Sequence, residues 1–523
     1  MNITGHALIG GAEVRGNGNS SQAFDPARRE ALAPQFNAVD AAQIDQACIL
    51  AQRAFDSFRA LPDDERARFL DTVAEQIIAI GDDLIVRAMA ETGLPRARLE
   101  GERGRTVGQL KLFAELLREG SWCDARIDSA LPQRQPPKPD LRLRLIGLGP
   151  VAVFAASNFP LAFSVAGGDT AAAFAAGCPV VLKAHSGHPG TSELVGRAIV
   201  QAVRQCGLPT GVFALLTGTG NGLGQALVRH PAIQAVGFTG SRQGGQALMA
   251  VAAARPQPIP VYAEMSSINP VFLLPHALAA RKEELARGLA TSLTLGVGQF
   301  CTNPGLVLGL RGAEFESFAR LTLAALSDFQ PGTMLTPGIA ESYARAVARM
   351  AAEETVQPLN HAVHGEGKGG HALFMTDGEA FPAHPGLREE MFGPASLFVA
   401  CDDAEQMRAV AESLEGQLTA TLLMDDADLD MAAGLLPVLE RKVGRILANG
   451  FPTGVEVTSA MVHGGPYPAT SDGRSTSVGT AAISRFLRPV CYQNLPQALL
   501  PAALRDDNGA GTWRRRDGVL GRT

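Results

Sequence analysis

A cysteine lies in a polar, turn-forming part of this chain, where a nucleophile could meet another molecule. The stretch Gly298-Gln299-Phe300-Cys301-Thr302-Asn303-Pro304 surrounds Cys301 with small and polar residues. A free cysteine is more often a small buried hydrophobe. This setting instead favours a thiol that a reactant can reach, and a reactive thiol needs a base and fixed hydrogen-bond donors beside it.

Four further groups of residues could complete a site around the thiol. Each is expected at the end of a buried strand or in a loop; they are Ala156-Ser157-Asn158-Phe159-Pro160, Gly237-Phe238-Thr239-Gly240-Ser241 followed by Gly245, Glu264, and Glu389-Glu390-Met391-Phe392-Gly393-Pro394. In α/β proteins with a parallel sheet, ligands bind at the carboxyl ends of the strands. These groups are therefore placed where a ligand would lie.

The elements that must position these residues alternate between strand and helix. From 147 to 271, short apolar runs alternate with helical segments at about 162–176, 191–206, 222–229 and 243–253, which predicts a parallel, doubly wound sheet. Residues 40–59 and 64–90 have helical apolar spacing, and helix continues to about residue 120. Residues 272–455 repeat the alternation and form a second α/β domain that carries Cys301.

Two segments differ from this α/β pattern. In residues 128–146, four prolines precede an alternating Leu-Arg-Leu-Arg-Leu strand, which is typical of an exposed hairpin or of a strand that pairs elsewhere. The tail 504–523 is polar and contains glycine, so we expect it to be disordered.

Length, composition and charge exclude several classes of protein. The chain has 523 residues, 46% apolar and 19% charged, and single cores stop growing at roughly 250–300 residues. A net charge of −6 without a long Lys/Arg block makes nucleic acid and anionic membranes poor partners. The seven scattered cysteines suggest neither a disulfide framework nor a zinc site. No signal peptide is visible, so we expect a cytoplasmic protein.

Two local patterns have plain structural explanations. Residues 151–182 lack Lys and Arg over more than the roughly 20 residues of a membrane helix. Asn158-Phe159-Pro160 and Gly167-Gly168-Asp169 interrupt this stretch, which favours two buried strands and a helix over a membrane span. The pairs His185/His188 and His361/His364 have H-x-x-H spacing, but no third ligand is evident, so no metal site is predicted.

Taken together and in this order, the five groups around the cysteine resemble the aldehyde dehydrogenase superfamily. Its members carry a strand-end Asn-Phe-Pro, a Phe-Thr-Gly-Ser turn, a strand-end Glu, a Gly-Gln-x-Cys nucleophile and a Glu-x-Phe-Gly-Pro loop. The resemblance covers roughly residues 20–490. It implies a Rossmann-type NAD(P)-binding domain (1–127 and 147–271), a catalytic domain (272–455), and a small β element for bridging and oligomerisation (128–146 and 456–500). A homo-oligomer, dimer or tetramer, is implied as well.

The resemblance also implies a role for each catalytic residue. The Cys301 thiolate attacks an aldehyde to give a thiohemiacetal, which can lose hydride to a nicotinamide. The oxyanion is held by the Asn158 amide and the Cys301 backbone N–H. Glu264 is the candidate base for hydrolysis of the thioester, provided that partial burial raises its pKa. Asn158 could instead form only an Asx turn before Pro160.

The implied cofactor is NADP or NAD, without a metal. The implied contacts are Lys183, Ser186, Phe238, Thr239, Gly240, Ser241, Gly245, Met265, Glu390 and Phe392. In the family the residue at Glu390 holds the nicotinamide ribose and the aromatic at Phe392 packs beside it; a plain glycine loop at 237–241, a surface glutamate and a core phenylalanine are the alternatives.

One departure from the family bears on the choice between the two cofactors. The family's Lys-Pro-Ser/Ala-Glu reads Lys183-Ala184-His185-Ser186 here. An acidic side chain at this strand end repels a 2′-phosphate. Ser186 removes that charge, so NADP should be used at least as well as NAD.

Three longer stretches narrow the resemblance to a subgroup. LKAHSGHPGTSE, VYAEMSSINP and MVHGGPYPATSDGRSTSVG resemble bacterial 2,5-dioxopentanoate (α-ketoglutaric semialdehyde) dehydrogenases and, less extensively, the NADP-linked fatty aldehyde dehydrogenase of luminous bacteria. The expected substrate is therefore 2,5-dioxopentanoate, with a medium or long-chain aldehyde as the alternative.

The residues that would hold the tail of the aldehyde are less constrained by sequence. Arg105 and Gln109, one helical turn apart, could hold a far carboxylate or could form a solvated helix face. Phe163 and Phe300 would line an apolar tunnel suited to a hydrocarbon tail. A non-catalytic relative of the same fold should have lost the nucleophile or the base, whereas Cys301 and Glu264 are both present.

Overall fold

The structure is a computed structural model that describes residues 2–360, 365–509 and 511–522. The described chain forms two seven-stranded sheets, a five-stranded sheet and two small hairpin-like pairs. The predicted pair His361/His364 lies outside the described residues.

The first 147 residues supply four long helices and six strands. They are β1 (Ala7–Ile9), β2 (Ala12–Val14), β3 (Ser20–Asp25), β4 (Glu30–Asn37), α1 (Ala41–Arg59), α2 (Asp63–Ala79), α3 (Asp82–Thr92), α4 (Arg96–Glu119), β5 (Ala125–Asp128) and β6 (Leu141–Gly147). The segment predicted as one helix at 64–90 is two helices, because Gly81 between them has φ +71°, a conformation that ends an α-helix.

The next strands and helices form the predicted doubly wound sheet. They are β7 (Val151–Phe154), α5 (Gly168–Ala175), β8 (Val180–Lys183), α6 (Pro189–Gln205), β9 (Phe213–Leu216), α7 (Asn221–Arg229), β10 (Ala235–Thr239), α8 (Arg242–Ala253) and β11 (Val261–Glu264). The strand order is β11-β10-β7-β8-β9-β1-β2, with β11 to β9 parallel and β1 antiparallel to β9. Apolar clusters cover both faces of this sheet, as a parallel sheet requires. The predicted α/β fold is confirmed.

The helix predicted at about 162–176 begins later than expected, at Gly168. Before it, Phe163 N–H bonds to the carbonyl of Phe159, and Ala156 N–H bonds to the carbonyl of Phe163. These bonds close a compact turn at the carboxyl end of β7. Residues 156–163 therefore form a hydrogen-bonded loop between β7 and α5.

The second sheet begins at Pro270. Its domain contains β12 (Pro270–Leu273), α9 (Pro275–Thr294), β13 (Leu306–Leu310), α10 (Ala313–Ala325), β14 (Gly332–Thr333), α11 (Pro337–Ala352), β15 (Gln357–Pro358), β16 (Lys368–Gly369), β17 (Ala372–Asp377), α12 (Ala380–Ala383), β18 (Ala395–Cys401), α13 (Ala404–Ser413), β19 (Gln417–Leu423), α14 (Leu429–Lys442) and β20 (Val443–Ala448). The strand order is β15-β17-β18-β13-β12-β19-β20, and apolar clusters again lie on both faces.

The third sheet bears on two expectations. It contains β5, β6, β21 (Leu487–Gln493), β22 (Arg514–Arg516) and β23 (Val519–Gly521) in the order β21-β6-β5-β22-β23. The Leu-Arg-Leu-Arg strand β6 pairs with a strand distant in sequence, as one of the two interpretations predicts, but it is not an edge, because it also pairs with β5. The expected disordered tail is wrong: β22 pairs in parallel with β5, and Leu500 and Leu504 pack against Ile127, so the polar tail is fixed by backbone pairing and by the apolar residues that precede it.

Among the described residues, no helix is both long enough and apolar enough to cross a bilayer.

Candidate active site

The loop that presents Cys301 has an unusual backbone. Gly296, Val297 and Gly298 have φ values of +56°, +59° and +65°, and a β-branched residue in this region is strained. A side chain at Gly298 would place a Cβ atom 2.3 Å from the carbonyl carbon of Gly393. Only glycine permits this close approach, which brings the cysteine loop against the loop that contains Glu390.

Cys301 is partly buried and lines a cavity of about 650 Å³. The sequence predicts a thiol that a reactant can reach, and the structure shows that the route to Cys301 is a cavity and not the open surface. Asn269 fixes the backbone here: its amide Nδ2 donates to the carbonyls of Cys301 and Asn303, each at 2.9 Å. Asn303 in turn donates to the carbonyl of Gly393 at 3.1 Å.

A histidine that the sequence interpretation did not assign stands at the centre of the site. His463 Nε2 lies 3.4 Å from Cys301 Sγ and 2.9 Å from Glu264 Oε1. The side chains of His463 and Glu264 are each only 1% exposed. His463 was quoted only within a stretch that marks the subgroup, and no local pattern links it to a cysteine 162 positions away.

Glu264 ends β11 and is held from two sides. Its Oε1 faces His463, and its Oε2 accepts a hydrogen bond from Ser477 Oγ at 2.8 Å. Burial raises the pKa of Glu264, but the attraction and hydrogen bond of His463, the hydroxyl of Ser477 and the charge of Arg485 outweigh it, so the pKa is lowered. The expectation of a raised pKa is wrong, because it counted burial and not these partners.

The pKa of Cys301 is shifted in the opposite direction. Burial raises it well above the ordinary value and the negative charge of Glu264 adds to the shift, while the cation of Arg105 opposes it. The resting sulfur is therefore a thiol at neutral pH. The thiolate is the nucleophilic form, so this site needs a group that removes the thiol proton, and His463 Nε2 is within reach.

Asn158 lies at the carboxyl end of β7 and lines the same cavity as Cys301. Its amide Nδ2 donates to the carbonyl of Gln299 at 3.1 Å. That bond uses one of the two amide hydrogens, and the second remains for a ligand in the cavity. The side chain of Asn158 is buried, and the backbone carbonyl of Asn158 accepts from Arg98 Nη2 at 3.2 Å, so the main chain of this residue is held in place.

The cavity runs along the carboxyl ends of β7, β8, β10 and β11. Most of the predicted catalytic and cofactor residues line it, namely Asn158, Ser186, Thr239, Gly240, Ser241, Glu264, Met265, Cys301, Glu390 and Phe392. Its volume lies within the roughly 300–1,000 Å³ typical of ligand sites. His185 also lines it, and its ring stacks on His188 with the ring centroids 5.2 Å apart.

Three predicted cofactor residues lie beside the cavity and not on its lining. Lys183 Nζ donates to the carbonyl of Ala184 at 3.3 Å. The ring of Phe238 packs on Phe154, and Gly245 lies so close to Met265 that a Cβ atom would be 2.7 Å from Sδ. Phe238 and Gly245 therefore pack around the turn after β10, and Lys183 lies at the end of β8.

Glu390, which is predicted to hold the nicotinamide ribose, lines the same cavity as Cys301. Burial raises the pKa of its carboxyl to about 8, and the nearby charge of Glu264 adds to the effect, although the backbone N–H of Ser267 opposes it. At pH 7 this group is mostly protonated and can donate a hydrogen bond as well as accept one.

A second group of side chains borders Cys301 from the side of α4. Phe159, Phe163 and Phe300 form an aromatic cluster, and Phe163 lies 6.1 Å from the ring of His463. The guanidinium of Arg105 stands 5.2 Å from the ring centroid of Phe163 and 5.5 Å from that of Phe159. The predicted apolar residues Phe163 and Phe300 and the predicted cation Arg105 therefore form one cluster, and none of them is among the residues that line the cavity.

Arg105 and its neighbour Arg98 differ in how they are paired. Arg98 is engaged with Glu102 at 3.7 Å and with the carbonyl of Asn158. Within the described residues, Nε and Nη2 of Arg105 are buried without a hydrogen-bond partner, and so are both polar atoms of the Gln109 amide. Buried polar groups are normally paired; these four atoms have no partner among the described residues, and neither Arg105 nor Gln109 is one of the residues that line the cavity.

The fold and this arrangement define a class of enzyme, and the comparisons agree with it. The aldehyde dehydrogenase family matches residues 14–484, and the chain belongs to that family. It is 57% identical over 522 residues to alpha-ketoglutaric semialdehyde dehydrogenase 2 of Azospirillum brasilense, with 99% of each chain covered. It is 48% identical over 520 residues to the alpha-ketoglutaric semialdehyde dehydrogenase of Acinetobacter baylyi, with 99% of this chain and 98% of that one covered.

Solved structures agree on the fold. A mutant of aldehyde dehydrogenase C from Pseudomonas syringae, in complex with NAD+ and octanal, superimposes with a TM-score of 0.79 at 21% identity, covering 95% of this chain and 98% of that chain.

Proposed function

We propose that this protein oxidises the aldehyde carbon of 2,5-dioxopentanoate to give 2-oxoglutarate, with NAD or NADP as the oxidant. The observation that carries the proposal is the convergence of Cys301, His463 and Glu264, two of which, Cys301 and Glu264, line a cavity that follows the strand ends. The substrate is supported by the two full-length relatives that are named for it.

The cavity fits a dinucleotide on three counts. It lies at the carboxyl ends of parallel strands, where α/β folds bind such ligands. Ser241 caps the first turn of α8 by accepting from Gly244 N–H, which leaves the remaining N–H groups of that turn directed toward an anion. Ser186, Glu390 and Phe392 line the cavity on either side. When bound, the nicotinamide supplies the acceptor for the hydride.

The first step belongs to the cysteine and the histidine. With its own proton on Nδ1, His463 takes the thiol proton on Nε2, and this new N–H of the imidazolium is the one that faces Glu264. The Cys301 thiolate attacks the aldehyde carbon to form a thiohemiacetal. The Asn158 amide and the Cys301 backbone N–H are the donors that face the developing oxyanion. Glu264, ionised at neutral pH because its pKa is lowered, stabilises the imidazolium across 2.9 Å.

Hydride loss converts the thiohemiacetal into a thioester on Cys301. His463 must then lose the proton that it took from the thiol before the next turnover. One nitrogen, Nε2, faces both Cys301 and Glu264, so a single proton position serves both partners. During hydrolysis Glu264 orients a water molecule and accepts its proton, and the thiolate that leaves regains its proton from His463. Because the same nitrogen takes the proton from the thiol and gives it back to the thiolate, attack on the aldehyde must precede hydrolysis of the thioester.

The far end of the substrate is a 2-oxo acid, which needs a cation or several donors. Arg105 meets that need, since its guanidinium stands beside Phe159 and Phe163 with unpaired donors. Its charge also acts on Cys301. Gln109, one turn further along α4, offers amide donors on the same side of the helix.

NADP is used at least as well as NAD in this proposal. Ser186 is exposed and lines the cavity at the end of β8, so it adds no negative charge there. Lys183 is close by, but its ammonium donates to the Ala184 carbonyl. The cation therefore attracts a 2′-phosphate only at a distance, and NAD is not excluded.

A medium or long-chain aldehyde is the second candidate substrate. The aromatic cluster of Phe159, Phe163 and Phe300 would suit a hydrocarbon tail. The Nε and Nη2 donors of Arg105, which contact the same aromatic cluster and have no hydrogen-bond partner in the described part of the chain, favour the oxo acid instead, because a hydrocarbon leaves those donors without a partner.

Oligomerisation remains part of the proposal. The outer strand β21 of the third sheet has an open edge with several exposed residues, and unpaired strand edges favour association with another chain. We propose a homo-oligomer, either a dimer or a tetramer. The free cysteines of the described chain fit action in the reducing cytoplasm.

The experiment that tests the function measures both products. Purified protein is given 2,5-dioxopentanoate with NAD or NADP, and reduced cofactor and 2-oxoglutarate are quantified together. We expect one of each per turnover, and none above background for Cys301→Ala, which should still bind the cofactor. Reduced cofactor without 2-oxoglutarate, or full turnover by Cys301→Ala, would contradict the proposal.

A matched pair of variants tests the substrate wall. Arg105→Gln should raise KM for 2,5-dioxopentanoate at least tenfold and leave that for hexanal within threefold, since truncating a charged contact costs about 1.5–3 kcal/mol. Lys111→Gln removes the same charge from an exposed position of the same helix and should change neither. Equal effects of Arg105→Gln on both aldehydes would remove Arg105 from the substrate site.

A further inference from the structure

Three side chains that bind metal ions well lie together in the catalytic site, and two of them, Glu264 and Cys301, line the cavity. Ligand atoms of Glu264, Cys301 and His463 all lie within 4.8 Å of one another. A thiolate, an imidazole and a carboxylate form a ligand set that Zn²⁺ accepts. The three residues come from different parts of the fold: the end of β11, the loop after α9 and the segment between β20 and β21.

The distances can be compared with what a tetrahedral ion requires. Bond lengths of about 2.3 Å to sulfur, 2.0–2.1 Å to nitrogen and 2.0–2.2 Å to oxygen imply ligand separations of about 3.4–3.6 Å at tetrahedral angles. The sulfur-to-nitrogen distance is already 3.4 Å, whereas the nitrogen-to-oxygen distance is 2.9 Å. The Glu264 carboxylate would have to retreat by about 0.5 Å, which a small χ rotation provides.

The geometry points to an inhibitory binding site for a soft divalent cation, with Zn²⁺ as the best fit. Cys301, His463 and Glu264 are the three protein ligands, and the fourth position faces the cavity, where a water molecule can enter. The inference adds a ligand to the site and does not depend on which aldehyde the enzyme oxidises.

Charge and chemistry both favour this ligand class. Coordination displaces the thiol proton to solvent and leaves the His463 Nε2 lone pair on the metal, so no redox change is involved. A thiolate and a carboxylate together balance the two charges of the ion. The nearby cations, Arg105 toward Cys301 and Arg485 toward Glu264, oppose binding. They lower the affinity relative to a dedicated zinc site, as expected for an ion that enters a catalytic centre.

An ion held there would block catalysis in a defined way. It would occupy the sulfur lone pair that attacks the aldehyde and the nitrogen that takes the proton. Inhibition should therefore be relieved by aldehyde and by a chelator. The dinucleotide should have less effect, since its predicted contacts lie mainly along the strand ends.

The test uses Co²⁺ alone as a spectroscopic substitute for Zn²⁺, with no turnover required. The reduced wild-type protein should develop a near-ultraviolet thiolate-to-cobalt band and intense visible bands of a tetrahedral ion, and Zn²⁺ should displace both. Cys301→Ser should lose the near-ultraviolet band. His463→Gln should weaken binding by more than the roughly 10–100-fold that loss of an outer-shell partner causes.

Controls separate this site from other thiols and from misfolding. Cys491→Ser removes an exposed cysteine and should leave the spectrum unchanged. Each variant is checked for cofactor binding, and Glu264→Gln serves as a second ligand variant if His463→Gln fails to fold. A cobalt spectrum that survives Cys301→Ser, or that disappears with Cys491→Ser, would overturn the inference, as would octahedral bands alone.

Discussion

Replacement of His463 by glutamine should remove the base that deprotonates Cys301 and leave the nucleophile itself unchanged. Glutamine keeps a donor that can face Glu264, but it cannot accept the thiol proton. Without the imidazole, only the fraction of Cys301 that is already ionised to the thiolate can react with the aldehyde. An ordinary thiol is only a few per cent thiolate at pH 7, and the pKa of Cys301 is raised well above the ordinary value by burial and by Glu264.

The magnitude follows from that fraction. Fewer than a few per cent of molecules carry a thiolate, so kcat/KM should fall at least about 30-fold at pH 7, or about 2 kcal/mol at 1.36 kcal/mol per decade. The upper bound is the roughly 10²–10⁴-fold that positioned acid–base groups contribute. Because the loss reflects an un-ionised thiol, kcat/KM of the variant should recover tenfold for each pH unit as the pH rises toward the thiol pKa.

The assay is kcat/KM with saturating cofactor from pH 6 to 10. His230→Gln, which removes an imidazole paired with Asp45 far from the cysteine in sequence, is the matched control and should behave as wild type. A His463→Gln variant within threefold of wild type, with an unchanged pH profile, would refute the assignment of His463 as the base for Cys301.

Three further predictions concern the other groups at the site. Glu264→Gln should retain a pre-steady-state burst of reduced cofactor while steady turnover falls, because Glu264 only stabilises the imidazolium in the first step but is the base that hydrolysis of the thioester requires; loss of the burst would make the first step the one that depends on Glu264. Ser186→Glu should shift kcat/KM toward NAD by about fivefold, from about 1 kcal/mol of like-charge repulsion of the 2′-phosphate at a water-like dielectric; an unchanged ratio would place that phosphate elsewhere. Cofactor affinity should rise as the pH passes about 8, because Glu390 ionises there and becomes a stronger acceptor for ribose hydroxyls. In titrations of Kd against pH, Glu390→Gln should remove this rise. A rise that persists in the variant would assign it to another group.

Much of the fold was predictable because its signals are local. The strands β7 to β11 are short apolar runs between helices with regular spacing, and a parallel sheet follows from that alternation. The loops at their ends have recognisable glycines and polar residues. The strand ends predict that Asn158 and Glu264 lie at one edge of the first sheet, whereas their grouping with Cys301 follows from the resemblance to the aldehyde dehydrogenase superfamily.

What could not be predicted depends on contacts between distant segments. His463 reaches Cys301 and Glu264 only because the chain between β20 and β21 returns to the edge of the first sheet, where Met265 N–H bonds to the carbonyl of Ala469. The direction of the Glu264 pKa shift was wrong for the same reason. The tail was misjudged because its order comes from pairing of β22 with β5, which its polar composition does not reveal.

The most direct test of the account compares two aldehydes on the wild-type enzyme. The measurement is kcat/KM for 2,5-dioxopentanoate and for hexanal, under the same conditions and with the preferred cofactor. A cation at Arg105 that pairs with the far carboxylate predicts that the oxo acid is favoured at least tenfold, a difference of about 1.4 kcal/mol in transition-state binding. A preference of tenfold or more for hexanal would contradict it.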